Sequence, residues 1–155
     1  MAAESIGGME PLLLTDIEAA VRSGWDADTT TPAHRPHWDP ANPARDQCGV
    51  TAMVLNDLLG GQLIRGEVLV DGEQVDYHWW NRLGMGVDID LTREQFAAHE
   101  HVVGGTVIER PAEFTRLREE YELLRDRVLE RLRGRIPEAG ADTGEGKGTG
   151  MGRTA

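Results

Sequence analysis

The sequence predicts an α+β fold, and three patterns carry that expectation. Two strand-like runs, 62–70 and 74–81, flank an Asp71-Gly72 turn, which is how a β-hairpin reads. Over residues 111–133, apolar positions recur at spacings of three and four, so one helical face is apolar. Two Thr-x-x-Glu/Gln patterns have the form of capping boxes, which open helices by satisfying free amides.

Taken in order, residues 1–10 read as a flexible N-terminus. Thr15-Asp16-Ile17-Glu18 predicts a helix from Thr15 to about Ser23, ended by Gly24. Residues 25–47 hold Pro32, Pro36, Pro40 and Pro43, which forbid a regular helix. Trp25 and Trp38 predict that this irregular segment packs on the domain, and long ordered segments of this kind often line sites. Residues 49–59 form a second helix, with Val50, Met53, Val54 and Leu58 as its apolar stripe, Cys48 at its start and Gly60-Gly61 as its stop. The hairpin follows. Gly84-Met85-Gly86 is a second turn leading to a short strand at 87–91, and Thr92 to Gln95 opens a short helix that buries Phe96. Residues 99–110 are ambiguous, with a strand at 106–109 as the best reading. Phe114, Leu117, Tyr121, Leu124, Val128 and Leu132 then mark a C-terminal packing helix; a stripe of about three heptads favours packing over a dimerising coiled coil. From Pro137 the chain is Gly-rich with little to bury, predicting a disordered tail over 137–155 after a single domain over 11–136.

Composition narrows the function classes. The 155 residues are 39% hydrophobic and 28% charged, as for a soluble globular protein. No apolar run approaches the roughly 18 residues of a membrane span, and no basic segment precedes Leu12-Leu13-Leu14 as in a secretory leader. A net charge of −11 argues against a nucleic-acid partner. A single cysteine excludes an intrachain disulfide and fits a cytoplasmic location.

The residues with chemistry are Cys48, His78 and Asp90. Cys48 lies at a helix start, where the dipole and free amides favour thiolate over thiol and can receive an oxyanion. A turn centred on Gly84 would set His78 opposite Asp90 and Trp80 opposite Asp88, each pair on one face of the sheet. A carboxylate beside an imidazole fixes its tautomer, so the three residues have the types of a nucleophile, a base and an orienter. A register shift of one residue would break the pairing, with Asp88 as the fallback orienter. Each residue also has a plainer role: a small buried thiol, a histidine packed among aromatics, and an aspartate capping the turn at Thr92.

Four segments, Arg45-Asp46-Gln47-Cys48-Gly49-Val50-Thr51-Ala52, Asp57-Leu58-Leu59-Gly60-Gly61, His78-Trp79-Trp80-Asn81-Arg82-Leu83 and Asp90-Leu91-Thr92-Arg93-Glu94-Gln95-Phe96, together resemble the YunG-like family of small bacterial proteins. The match runs over roughly 38–96; Gly49 and the Gly84-Met85-Gly86 turn depart from the pattern, which suggests alanine or proline at the first and an Asp-Gly turn at the second. That family in turn resembles the papain-like cysteine hydrolases, of the NlpC/P60 or transglutaminase kind, in its order of elements. The resemblance implies a papain-like α+β core with Cys48, His78 and Asp90 as a catalytic triad. The family brings no defined activity; the chemistry of such a triad predicts a thiol-dependent hydrolase or acyltransferase acting on an amide, ester or thioester of a small-molecule or peptide substrate, with no cofactor or metal. The backbone N–H of Cys48 would receive the oxyanion, with Gln47 or Asn42 as candidate second donors. Two other readings compete. A metal could use His34 and His37, although no familiar zinc spacing accompanies them. A non-catalytic small-molecule or protein-binding protein could use Trp25, Trp38, Trp79 and Trp80.

Overall fold

The computed structural model describes residues 10–133. The expected flexible start, apart from Glu10, and the expected Gly-rich tail lie outside the described residues. Three helices, α1 (Leu14–Gly24), α2 (Cys48–Leu59) and α3 (Arg118–Leu132), accompany four strands, β1 (Gln62–Val70), β2 (Glu73–Arg82), β3 (Asp88–Ile89) and β4 (His101–Ile108). The fold is therefore α+β, with one antiparallel sheet in the order β3-β2-β1-β4.

Ile17, Ala20 and Val21 of α1, Val50, Val54 and Leu55 of α2, and Tyr121, Leu124, Val128 and Leu132 of α3 meet in one buried cluster. The helices α1 and α3 cross closely at Gly24, where a Cβ would lie 2.7 Å from Leu124 Cδ1. The Arg127 guanidinium locks this crossing by donating to the Gly24 carbonyl and to both carboxylate oxygens of Asp28. The proline-rich segment packs on the same cluster. Trp25 is buried and its indole donates to Thr51 Oγ1 at 2.9 Å, so it belongs to the core.

Three expected boundaries move. Helix α1 starts a residue early because the Asp16 carboxylate, and not a Thr15–Glu18 box, accepts the Leu13 N–H at 2.9 Å. Strand β4 begins at His101, well before 106, because the whole segment pairs with β1 around a bulge between Arg65 and Glu67. The C-terminal helix begins only at Arg118. Residues 111–117 are irregular, and Leu117 takes a left-handed φ of 61°. That turn brings Leu117 against Gly49, where a Cβ would lie 3.2 Å from Leu117 Cδ1, which gives the unexpected glycine a packing reason. Arg110 anchors the same segment to α2 through the Met53 carbonyl, Asn56 and Asp57, and to α3 through the Tyr121 hydroxyl. The expected apolar stripe is used for packing, as the burial of Tyr121, Leu124, Val128 and Leu132 shows.

Candidate functional site

The site is built where the start of α2 meets β2 and the turn after β3. Strand β2 alternates its side chains between the two faces of the sheet, and Asp76, His78 and Trp80 share one of them. Across β1 the same face carries Val68, Gly66 and Ile64, each directly opposite one of those residues. Gly66 has no side chain, and the Trp80 ring fills the space a Cβ would occupy, within 2.8 Å of it. His78 is fully buried, stacked on Trp80 with ring centres 5.6 Å apart and met edge-on by Phe96 at 4.8 Å.

The pairing of His78 with Asp90 forms, but not by the expected register. Backbone pairs are Asn81 with Ile89 and Arg82 with Asp88, so the turn is centred on Met85 rather than Gly84. Met85 itself takes the left-handed conformation, φ 64°, followed by Gly86 at 72°. The displacement is by two residues, and an even shift keeps every side chain on its face. The intended partners become diagonal neighbours, still within reach of long side chains. His78 Nε2 lies 2.7 Å from Asp90 Oδ2, and the Trp80 indole donates to Asp88 at 3.1 Å. Asp88 is also gripped by Arg82 and held below the usual carboxylate range by it, so it supports Trp80 and does not orient His78. Asp90 does two jobs at once: Oδ1 accepts the Thr92 N–H at 3.3 Å, while Oδ2 holds His78 and lies 3.4 Å from Arg93.

The bond to Asp90 occupies His78 Nε2 and leaves Nδ1 as the other ring nitrogen. Nδ1 is buried and has no hydrogen-bond partner among the described residues, so it makes no bond to the Cys48 sulfur in the resting state. Cys48 begins α2 as expected and is half-buried. Its surroundings reverse the expected lowering of its pKa. Loss of water pushes the thiol up to about 12, the backbone N–H of Trp79 pulls the other way, and the carboxylates of Asp76, Asp90 and Asp46 add to the rise. The resting cysteine is therefore a neutral thiol.

The loop before Cys48 is held by Gln95, whose role the sequence did not announce. Its side-chain oxygen accepts the Asp46 N–H at 3.1 Å, and its carbonyl accepts Asn42 at 3.0 Å and Arg45 at 3.4 Å. Gln95 follows Asp90 on the same turn, so one residue ties the cysteine arm to the aspartate arm. Asp46 is left-handed, φ 61°, and this clamp holds that strained conformation in place. Asn42 is thereby occupied. Gln47 is fully buried, its oxygen accepting from Thr29 at 2.7 Å and its nitrogen donating to the Asp26 carbonyl at 3.0 Å. Neither is placed to donate to an oxyanion.

A pocket of about 210 Å³ opens on Cys48, with Val68, Asp76 and Phe96 among its walls, and Phe96 also meets the His78 ring edge-on. Tryptophans do not line it: Trp25 and Trp80 are core. His34 comes to the rim, with Nδ1 3.7 Å from the Asp46 carboxylate, which places the proline-rich segment beside the site. Among the described residues no three metal-ligating side chains converge, so His34 and His37 gain no third ligand. No helix among the described residues is long and apolar enough to cross a membrane.

Comparison with known proteins places the chain in a family. It matches the YunG protein family over residues 13–133, most of its length, and belongs to that family. It is 35% identical over 68 residues to a Bacillus subtilis (strain 168) protein named "Uncharacterized protein YunG", a match covering 42% of this chain and 54% of the relative. The chain thus spans about half the length of this curated relative. No solved structure matches it.

Proposed function

We propose that this member of the YunG family is a thiol-dependent acyl-transfer enzyme, a hydrolase or acyltransferase of papain-like design. Cys48 is the nucleophile, His78 the base and Asp90 the orienter. The observation that carries the reading is His78: a fully buried imidazole with Nε2 bound to a carboxylate at 2.7 Å and with Nδ1 unpartnered. A buried polar atom left unsatisfied costs about 1–3 kcal/mol, which a fold keeps when the atom has work to do. We assign that work to the thiol at the start of α2, Cys48.

Because the thiol is neutral at rest, attack and proton transfer occur together. The Cys48 proton passes to His78 Nδ1 as Sγ bonds to the carbonyl carbon, and the carbonyl π pair moves onto oxygen. The Cys48 N–H, in the first turn of α2 and without a helical acceptor, receives that oxyanion. Collapse expels the leaving group, which takes the proton from His78. Water or another nucleophile then cleaves the thioester. Asp90, bound at Nε2, keeps Nδ1 the nitrogen that takes up the proton and then returns it.

A second reading has its own support. A thiol pushed up to about 12 is a poor nucleophile, which suits a non-catalytic pocket for a small molecule. Acetylation by p-nitrophenyl acetate separates the two, followed by intact mass and by nitrophenolate release. The catalytic reading expects acetyl transfer to Cys48 at pH 7 that falls about 100-fold in His78→Ala and in Asp90→Asn. It also expects iodoacetamide alkylation of Cys48 at neutral pH that His78→Ala removes. Equal rates in all three proteins, rising only with hydroxide, would mean a binding site.

A further inference from the structure

Strand β2 has an edge that its neighbour covers only in part. Across the turn at Met85, the Leu83 N–H donates to the Val87 carbonyl at 2.7 Å, and Arg82 and Asn81 face Asp88 and Ile89. Hydrogen-bonded pairs alternate along an antiparallel ladder, so Leu83 and Asn81 turn their backbone groups towards β3. By the same alternation, Trp79 and Tyr77 turn theirs out of that edge, away from β1. Strand β3 stops at Ile89, and Asp90 turns the chain aside by accepting the Thr92 N–H. The outer backbone groups of Trp79 and Tyr77 are therefore left without a strand.

Two substitutes occupy that edge. The Trp79 N–H is taken by the Cys48 sulfur, so the thiol stands where the line of β3 would have continued. One alternate position further, the Tyr77 N–H is held by the carboxylate of its own neighbour, Asp76, at 2.7 Å. No donor among the described residues meets the Tyr77 carbonyl. The pocket that opens on Cys48 is lined by this same stretch, Val75, Asp76 and Tyr77. A bulge opposite Val68 and Leu69 then ends the regular ladder. The open stretch runs only from the end of β3 to that bulge, which suits a few residues of extended chain and not a whole strand of a second copy. Free backbone groups on a strand edge recognise exactly such a chain, through the amides and carbonyls of its own backbone.

We infer that the substrate is a short peptide bound in extended form along this gap, its backbone pairing with the N–H and carbonyl of Tyr77 and its reacting carbonyl lying at Cys48. The peptide carbonyl replaces Asp76 on the Tyr77 N–H, and a peptide N–H supplies the donor that the Tyr77 carbonyl lacks. This rests on the acyl-transfer reading for the word substrate; the strand pairing itself stands without it.

The test alkylates Cys48 in the full chain with two peptide reagents. Acetyl-Ala-Ala-Ala chloromethyl ketone carries its peptide on the acyl side of the reactive group, and iodoacetyl-Ala-Ala-Ala-amide on the leaving-group side. In each, the Cys48 sulfur bonds to the reagent's methylene carbon, halide leaves and the thiol proton goes to solvent. Rates at pH 8 are divided by those with a free small thiol, then compared with chloroacetone and iodoacetamide treated alike. One of the two peptides is expected to react about tenfold faster than its short counterpart, as a pair of backbone hydrogen bonds would give. Ester links in place of its amides remove the N–H groups at nearly the same shape and should cancel the gain. In protein carrying the favoured label, amide exchange at Tyr77 should be slower than in protein carrying the short one. Equal rates for long and short reagents, a gain that survives the ester links, or unchanged exchange at Tyr77 overturns the inference. Acetylation by p-nitrophenyl acetate reports on the chemistry separately. His78-dependent acetylation without a peptide gain overturns the inference and leaves the enzyme. A peptide gain without His78 dependence keeps the strand pairing and discards the enzyme.

Discussion

The helical layer and the face of the sheet that carries His78 are organised by different forces. The core among α1, α2 and α3 is apolar: Val21, Val54, Leu124 and Val128 are fully buried there, and the directed bonds, such as that of Arg127 to the Gly24 carbonyl, lie at its edge. On the face of β2 that carries His78, the buried rings and the loop beside them are held by specific partners: His78 by Asp90, Trp80 by Asp88, Asp46 by Gln95. Hydrophobic packing is non-directional and tolerates small shifts. A hydrogen-bonded site fails when one partner is lost, because the remaining group stays desolvated. The two regions should therefore respond differently to substitution.

The largest effect belongs to the helical layer. Leu124→Ala removes a fully buried side chain at the α1–α3 crossing and should cost about 2–5 kcal/mol in urea unfolding. The pH profile of Cys48 alkylation in the folded variant should be unchanged. A changed profile would mean that the two regions are coupled.

Asp90→Ala does the reverse. It strands His78 Nε2 in a fully buried place, for about 1–3 kcal/mol of stability, and it frees the imidazole to change tautomer. Nitrogen chemical shifts of the His78 ring should show a mixture of tautomers where the wild type shows one. Gln95→Leu should be milder, about 1 kcal/mol, because it removes the acceptor of the Asp46 N–H while keeping the volume. Its signature is faster amide exchange at Asp46, with the helical amides unaffected.

The pH dependence sharpens the contrast at both ends. Asp28 is held below its usual pKa by its bond to Arg127, and Glu100 by Arg45. Such groups stabilise above the unfolded value of about 4, and the contribution is lost as pH falls through their lower folded values. Tm should drop on acidification, and less so in Asp28→Asn. Cys48 acts in the alkaline range. Its contribution is present below the unfolded value of about 8.5 and is lost as pH rises towards about 12, so Cys48→Ala should flatten the alkaline fall in Tm. The smallest effect is Met85→Gly, which relieves a left-handed residue at φ 64° while adding freedom to the unfolded chain. A change within about 1 kcal/mol is expected, with the His78–Asp90 bond intact.

Much of the fold was legible in the sequence because it depends on local rules. Gly60-Gly61 ends α2, Asp71-Gly72 turns the hairpin, and the stripe from Tyr121 to Leu132 finds the core. The partnership of His78 and Asp90 was also legible, although the turn is centred one residue later than expected. Face depends only on parity, and parity survived the shift. Asp90's capping role was legible beside it, and both uses are real.

The sequence by itself determined the α+β class, the place of Cys48 at the start of a helix, and the sheet face that presents His78 to an aspartate. Each follows from periodicity, turn chemistry and capping, which act over a few residues. Tertiary structure decided the charge state of the thiol, the grip of Gln95 on the loop before it, and the loss of Gln47 and Asn42 to structural bonds. It also decided that Leu117 must turn out of the helix to reach Gly49. The physical reason is that desolvation and long-range partners are properties of a place in space. A helix start alone favours a thiolate, but three carboxylates and the loss of water around this one outweigh it.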